Sequence, residues 1–265
     1  MANIHPSAVI DPSAQIADDV KIHAYTVIGP DVKLESGVEV LPQAYIEYSE
    51  IGKNTIISTG AVIGTPPQDL GYKGEPTKVI IGENCQVREH VTVNRASGEG
   101  ITEIGNNCML MTGAHVAHNC KVGNNVILAN LATLAGHVIV EDYAFIGGMV
   151  VIHQNVRIGE MAIMGGFSGT RQDLPPYAKT EGRPAGIIGI NTVGLRRRGL
   201  NAEERTNLKK AFNLIWYSDL NTHQAIEKIQ QEIPSNKYIE HLIDFILTSK
   251  RGVTKHTGKQ GYEEG

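Results

Sequence analysis

The chain has 265 residues, 41% of them hydrophobic, and a formal charge of −4. That suits one large domain plus a smaller one and gives no global reason to expect nucleic acid as a partner. No apolar run approaches the ~18 residues of a transmembrane segment, and Met1 to Pro6 shows neither the basic nor the apolar region of a secretory signal, so a cytoplasmic location is the default expectation. Only 5% of the residues are aromatic, while 29 are glycine, a balance that fits a solenoid with a stacked aliphatic core and small corner residues.

From Ile4 to Met164 an aliphatic residue returns at almost every sixth position. The step is unbroken over Ile4, Ile10, Ile16, Ile22, Ile28, Leu34, Val40 and Ile46, and again from Ile104 through Leu110, Val116, Val122, Leu128, Leu134, Val140, Ile146, Ile152 and Ile158 to Met164. Neither a helix nor a simple strand sustains that period. It predicts a parallel β-helix in which three hexads, about 18 residues, close one triangular coil, with coils ~4.8 Å apart. The small residue four places after each aliphatic also points inward. Cys85, Cys108 and Cys120 occupy that slot, which reads them as buried thiols; with no CxxC pair, a disulfide framework or zinc site is not expected.

The repeat fails twice. Between Ile63 and Ile81 its slots would fall on Asp69 and Glu75, so Gly64–Thr77 reads as an extruded loop; Asn94–Gly100 is a second. The loops are placed at about 64–80 and 94–103, where ligand contacts are usually found. The shorter step from Ile46 to Ile51 is absorbed within a coil. After Gly165 and Gly166 the repeat is expected to stop, with Leu174–Tyr177 and Arg183–Pro184 as an irregular connector. The β-helix is therefore assigned to 1–186 and an α-helical domain to 187–265. In that domain Asn201 is a candidate N-cap before Glu203 and Glu204, with Leu208, Phe212, Ile215 and Trp216 on one face. Thr222 opens a second helix ended by Pro234, and Ser235 caps a third carrying Ile239, Leu242, Ile243 and Ile246. The polar stretch Gly252–Gly265 is expected to fray.

Four of the ten histidines, His115, His118, His137 and His153, fall within a short span. One coil on from His118 lies Gly136, and two coils on lies Gln154. His118, Gly136-His137 and His153-Gln154 should therefore share one corner of three successive coils, within roughly 10 Å along the axis. An imidazole there can take a proton from a hydroxyl and return it to a leaving group, and the Gly136 N–H can face a developing oxyanion. His5, His23, His223, His241 and His256 read as polar surface residues. Some β-helix enzymes, the γ-class carbonic anhydrases, hold zinc through three histidines; the spacing here does not match theirs, and zinc remains the minor alternative.

With Gly113-Ala-His-Val-Ala-His-Asn-Cys120, Leu134-Ala-Gly-His137, Ile146-Gly-Gly-Met149, Val151-Ile-His-Gln154, Gln68-Asp-Leu70 and Gly74-Glu-Pro-Thr77, the chain resembles the UDP-N-acetylglucosamine acyltransferases. These are acyl carrier protein-dependent O-acyltransferases that open lipid A synthesis. The resemblance covers essentially the whole chain, including Gln172–Tyr177 and Gly194–Gly199. It implies a homotrimer of left-handed β-helices with active sites between subunits, a handedness that runs against the usual crossover rule. It further implies His118 as general base towards the sugar 3-hydroxyl and the Gly136 amide as oxyanion donor. His115, His137, His153 and Gln154 would position the substrates, Asp69, Asn191, Arg197 and Arg198 would contact them, and Gly166 would set acyl length, its missing side chain leaving room for a longer chain. No resident cofactor is implied; the acyl group arrives on the phosphopantetheine of the carrier protein. Arg196–Arg198 suit a diphosphate, and Lys209 and Lys210 suit an acidic carrier. The chain departs from relatives at Gly71, where many have lysine (Lys73 is close by), and at Asn119, where some have aspartate. It departs again at Val193, for an acidic residue, and at Pro184, for a groove histidine. A sister family with an N-terminal uridine-binding domain fits less well, since the repeat starts at Ile4. N-acylation of the 3-amino sugar nucleotide is the runner-up.

Overall fold

The structure, a computed structural model, describes residues 1–256. Three parallel sheets form the faces of a prism. Face A has eleven strands from Asn3–Ile4 to Ala185–Ile190, face B nine from Val9–Ile10 to Gly169–Thr170, and face C eight from Gln15–Ile16 to Arg157–Ile158. Ile4 pairs with Ile22, Val116 with Leu134 and Leu134 with Ile152, which is the expected coil length. The aliphatic of each hexad and the small residue four later point inward: Ile28, Val32, Leu34, Val38, Val116, Cys120 and Val122 are all buried. Cys85, Cys108 and Cys120 are buried and unpaired, their thiols directed at the Gly105, Gly123 and Ala135 carbonyls.

The first loop runs from Pro66 to Thr77 and the second from Arg95 to Gly100, each between strands longer than the usual two residues. The step from Ile46 to Ile51 is taken up at one turn, where the Ser49 hydroxyl donates to the Glu47 carbonyl (2.7 Å).

The coil does not end at Gly166. Thr170 and Thr180, both buried, continue the inward columns above Ile152 and Met164. Their hydroxyls donate to the Gln172 and Ile163 carbonyls, so a β-branched polar residue replaces an aliphatic one without an unmade bond. Part of the presumed irregular connector is an antiparallel hairpin, Ala178–Gly182 with Ala185–Ile190. A short helix α1 (Thr192–Arg197), absent from the sequence reading, follows it, capped by Asn191. Then come α2 (Ala202–Trp216), α3 (Thr222–Glu232) and α4 (Lys237–Leu247). Asn201 and Glu204 form the capping box of α2. The cap of α4 is Asn236 rather than Ser235, whose hydroxyl instead donates to Glu240 (2.6 Å).

The expected fraying of Gly252–Gly265 does not begin at Gly252. Val253 bridges to Asp173, His256 to Ile187, and the Trp216 indole donates to the Thr254 carbonyl (3.0 Å); residues 257–265 lie outside the described ones. His241 is also not a plain surface residue. It joins α4 to the β-helix, with Nε2 at 3.0 Å from Glu141 and Nδ1 at 3.5 Å from Glu160 and 2.9 Å from the Tyr177 hydroxyl. Bonds to Glu141 and then Glu160 push its pKa up to about 9 from 6.5. The folded value lies above the unfolded one, so this stabilisation is complete below about pH 6.5 and drains away as pH rises through about 9. It amounts to about 3 kcal/mol as an upper bound. Thermal unfolding followed from pH 6 to 10 should show Tm falling between about pH 6.5 and 9 and levelling above, and His241→Gln should flatten that fall; an unchanged slope in the variant would remove the assignment.

Candidate active site

The corner between faces B and C gathers the histidines. In successive coils His118, Gly136 and Gln154 occupy one position, and Asn119, His137 and Asn155 the next. Asn119 (φ 58°) and His137 (φ 61°) adopt the left-handed conformation this corner demands, which Asn and His tolerate better than most residues. The His137 N–H donates to the His118 carbonyl (3.0 Å), and the two rings meet edge-on with centroids 5.1 Å apart. A Cβ on Gly136 would lie 2.5 Å from His118 Nε2. The imidazole therefore rests against the backbone of the next coil, and only glycine leaves it room.

Both loops converge on this corner. The Asn119 side-chain oxygen accepts from the Ser97 N–H (2.9 Å) and its NH₂ donates to the Glu99 carbonyl (2.9 Å). With the amide so oriented, the 2.8 Å contact between Asn119 Oδ1 and His118 Nδ1 requires a proton on Nδ1. The lone pair of His118 is then on Nε2, beside Gly136, whose own N–H bonds to no described residue. Ser97 also donates to Asp69 (2.6 Å), whose other oxygen accepts the Gly71 N–H (2.9 Å). These bonds, the Ser97 one first, hold the Asp69 carboxyl below its usual range, with smaller electrostatic contributions from His118 and His137. Burial, then the neighbouring His118, lowers the pKa of His137; burial alone lowers that of His115. Both shifts favour neutral rings.

His115 sits on face B in register with Thr92 and Thr133 and contacts the Thr92 hydroxyl at 2.6 Å. His153 and Gln154 are exposed at the same corner as His118. His153 Nδ1 lies 3.2 Å from the Gln154 carbonyl and 3.1 Å from Arg251 Nη2. A guanidinium can only donate, so while that bond is made Nδ1 supplies the lone pair and the ring proton sits on Nε2.

Gly166 lies at the opposite edge of face B, stacked on Gly148, with Leu131, Met149 and Phe167 exposed beside it at 52%, 44% and 64%. Asn191, Arg197 and Arg198 are not brought to the histidines within one chain. They line a cleft of about 420 Å³ over face A with Ile127, Phe145, Ile163 and Val193. The Asn191 amide is occupied locally, accepting from the Gly194 N–H and donating to the Met161 carbonyl. Arg198 stacks on Tyr143 (4.1 Å).

Sequence reasoning missed Ser97, Arg95 and Arg251. Arg95 fastens the loops together. It is buried, donates to Glu47 (2.8 Å), the Gly64 carbonyl (2.7 Å) and the Tyr72 hydroxyl (3.0 Å), and stacks on Tyr48 (4.4 Å). Its only sequence signal was an arginine directly after an inward strand at a break in the repeat. Among the described residues no group of three or more His, Cys, Asp or Glu side chains is placed to hold a metal ion, and no helix is long and apolar enough to cross a membrane.

A hexad-built prism whose corner holds an oriented imidazole against a glycine amide defines a hexapeptide-repeat acyltransferase. Comparison supports that class. A family described as bacterial transferase hexapeptide matches residues 101–136, one described as UDP N-acetylglucosamine O-acyltransferase, domain 2, matches 173–254, and one described as the GMPPB C-terminal domain matches 4–97. Proteins named acyl-[acyl-carrier-protein]--UDP-N-acetylglucosamine O-acyltransferase are similar over nearly the whole chain. That of Thermodesulfovibrio yellowstonii is 48% identical over 96% of this chain and 100% of its own, and that of Chlamydia pneumoniae 50% identical over 100% and 96%. The solved UDP-N-acetylglucosamine acyltransferase of Bacteroides fragilis superposes with a TM-score of 0.94 at 40% identity, over 95% of this chain and 100% of that one. The chain belongs to the UDP-N-acetylglucosamine O-acyltransferase family, and its fold is the left-handed parallel β-helix with a C-terminal helical region.

Two substitutions test the site. Gly136→Ala should push the His118 ring aside and lower kcat by about 100-fold or more, with far-ultraviolet circular dichroism unchanged; near-wild-type turnover would contradict the close packing. Asn119→Asp places a carboxylate beside His118 and favours the imidazolium. The acid limb of the kcat/KM profile should therefore move to higher pH, and a shift to lower pH would rule out the contact.

Proposed function

We propose that the protein transfers an acyl chain from acyl carrier protein to the 3-hydroxyl of UDP-N-acetylglucosamine, the opening step of lipid A synthesis. The observation that carries this is the forced tautomer of His118, which leaves the lone pair on Nε2, packed against Gly136 of the next coil. His118 Nε2 takes the proton of the 3-hydroxyl as its oxygen attacks the thioester carbonyl. The negative charge that develops on the carbonyl oxygen is met by the Gly136 N–H. Collapse breaks the C–S bond, and the imidazolium returns its proton to the departing thiolate. The phosphopantetheine of the carrier brings the acyl group, so the reaction needs no resident cofactor.

Asp69, His115, His137, His153 and Gln154 line this corner as substrate contacts. Neutral His137 and His115 serve as hydrogen-bonding groups rather than competing cations. The acyl chain follows the apolar edge of face B, past Val151 and Met149 towards Gly148 and Gly166, where a missing Cβ leaves space. Asn191, Arg197 and Arg198 belong to the same site through a neighbouring copy in a homotrimer, because face A of one chain is remote from its own catalytic corner. Exposed Phe145, Val151 and Phe167 supply apolar surface for that association. The similar proteins are named as O-acyltransferases, which favours the hydroxyl over the 3-amino acceptor.

The deciding experiment crosses UDP-N-acetylglucosamine and its 3-amino analogue with carrier proteins bearing acyl and 3-hydroxyacyl chains of several lengths. Transfer to the 3-hydroxyl sugar nucleotide, lowered by roughly 10²–10⁴-fold in His118→Ala, is expected. Full activity in that variant, or activity confined to the amino sugar, would overturn the reading.

A further inference from the structure

The C-terminal segment is anchored at one buried carboxylate. Asp173, 1% exposed, accepts the Arg157 N–H on Oδ1 (2.8 Å) and the Ser249 hydroxyl on Oδ2 (2.7 Å). Its backbone N–H donates to the Gly252 carbonyl and its carbonyl accepts the Thr254 N–H, both at 2.9 Å. Between these anchors the chain turns, with Gly252 at φ 72°, and Arg251 projects to the catalytic corner. Its Nε donates to the Arg171 carbonyl (3.2 Å) and its Nη2 to His153 Nδ1 (3.1 Å). Two of five donor hydrogens are thereby used, and among the described residues no carboxylate pairs with this guanidinium. Arg171 lies at the same corner and Arg183 reaches over the end of face B, donating to the Phe167 carbonyl; neither has a carboxylate partner among the described residues. Three arginines thus rim the end of the face that carries His115, Thr133 and Val151.

We propose that Arg251 is a phosphate-binding residue of the active site, presented by the C-terminal strap beside His153 and Gln154. A guanidinium fork with free donors is matched to a phosphate oxyanion. By accepting from Arg251, His153 is left with an Nε2–H to give to the same ligand. The inference rests on the acyl-transfer reading, in which two substrates bring phosphate: the diphosphate of the sugar nucleotide and the phosphodiester of the pantetheine arm. Arg251 engages one of them.

Arg251→Gln and Arg251→Lys, made in the full chain, separate the cases. KM is measured for UDP-N-acetylglucosamine and for acyl carrier protein, and a second arm compares acyl-4′-phosphopantetheine with acyl-pantetheine. The glutamine variant should raise KM for one substrate by roughly tenfold or more while kcat changes little, and lysine should restore part of the loss. A rise confined to the sugar nucleotide assigns the diphosphate. Loss of the preference for phosphorylated over unphosphorylated thioester assigns the pantetheine arm. Unchanged KM values, or equal losses for both substrates with a lowered Tm, would show that Arg251 only anchors the strap and would overturn the proposal. Wild-type enzyme run alongside distinguishes this from failure of the parent reading, in which the wild type itself would not transfer.

Discussion

Every feature of the molecule depends on the stacking of coils in register. Each coil bonds its N–H groups to the carbonyls of the next, and the inward columns of Ile, Leu and Val leave an interior filled by side chains alone. Such a core has no room for a ligand. Chemistry is confined to the corners, the outer faces and the loops, and a residue's neighbours are fixed by where it falls in the coil rather than by its sequence position. The same constraint explains why Gly136 is a glycine: the preceding coil places an imidazole where its side chain would be.

The histidine corner gains its definition from outside the repeat. The coil alone would leave His118 free to choose either tautomer. The second loop supplies Ser97, which orients Asn119; the first supplies Asp69, which is tied to Ser97; and Arg95 locks both loops to Glu47. The His118 imidazole, its orienting amide and the loop carboxylate thus form one hydrogen-bonded unit, so that loop position and imidazole tautomer are set together. Asn119 accomplishes the orientation without the charge an aspartate would add.

Much of this was legible because the hexad is a strong periodic signal. It located the coils, the inward cysteines, the two loops and the convergence of His118, Gly136 and Gln154. It faltered where an inward slot carried threonine: Thr170 and Thr180 satisfy their hydroxyls internally, which no hydropathy pattern reveals. The hairpin of Ala178–Gly182 and Ala185–Ile190 was hidden by prolines and glycines at its ends. Asn201 was readable as a cap because Glu204 completes a recognised spacing, whereas Ser235 and Asn236 are adjacent candidates that only geometry separates. His241, Arg95, Ser97 and Arg251 were out of reach for a common reason. Their partners lie in other segments at separations unrelated to the repeat. Asn191 came from family resemblance alone and Arg197 and Arg198 from that and the fit of arginine to a diphosphate, and one chain does not unite them with the histidines.

Because each coil touches only the coils on either side, the prism resembles a one-dimensional lattice in which disturbances die out over a few layers. Ile10 pairs with Ile28 of the next coil, far from the histidine corner. Ties between distant segments break this locality. Arg95 reaches back to Glu47, and Asp173 binds both Arg157 and the far end of the chain at Ser249. These two fasteners bracket the coils that hold His118 and His153 from opposite sides. The coils that hold the histidines are thus clamped as a block, while the early coils carry no such fastener to them.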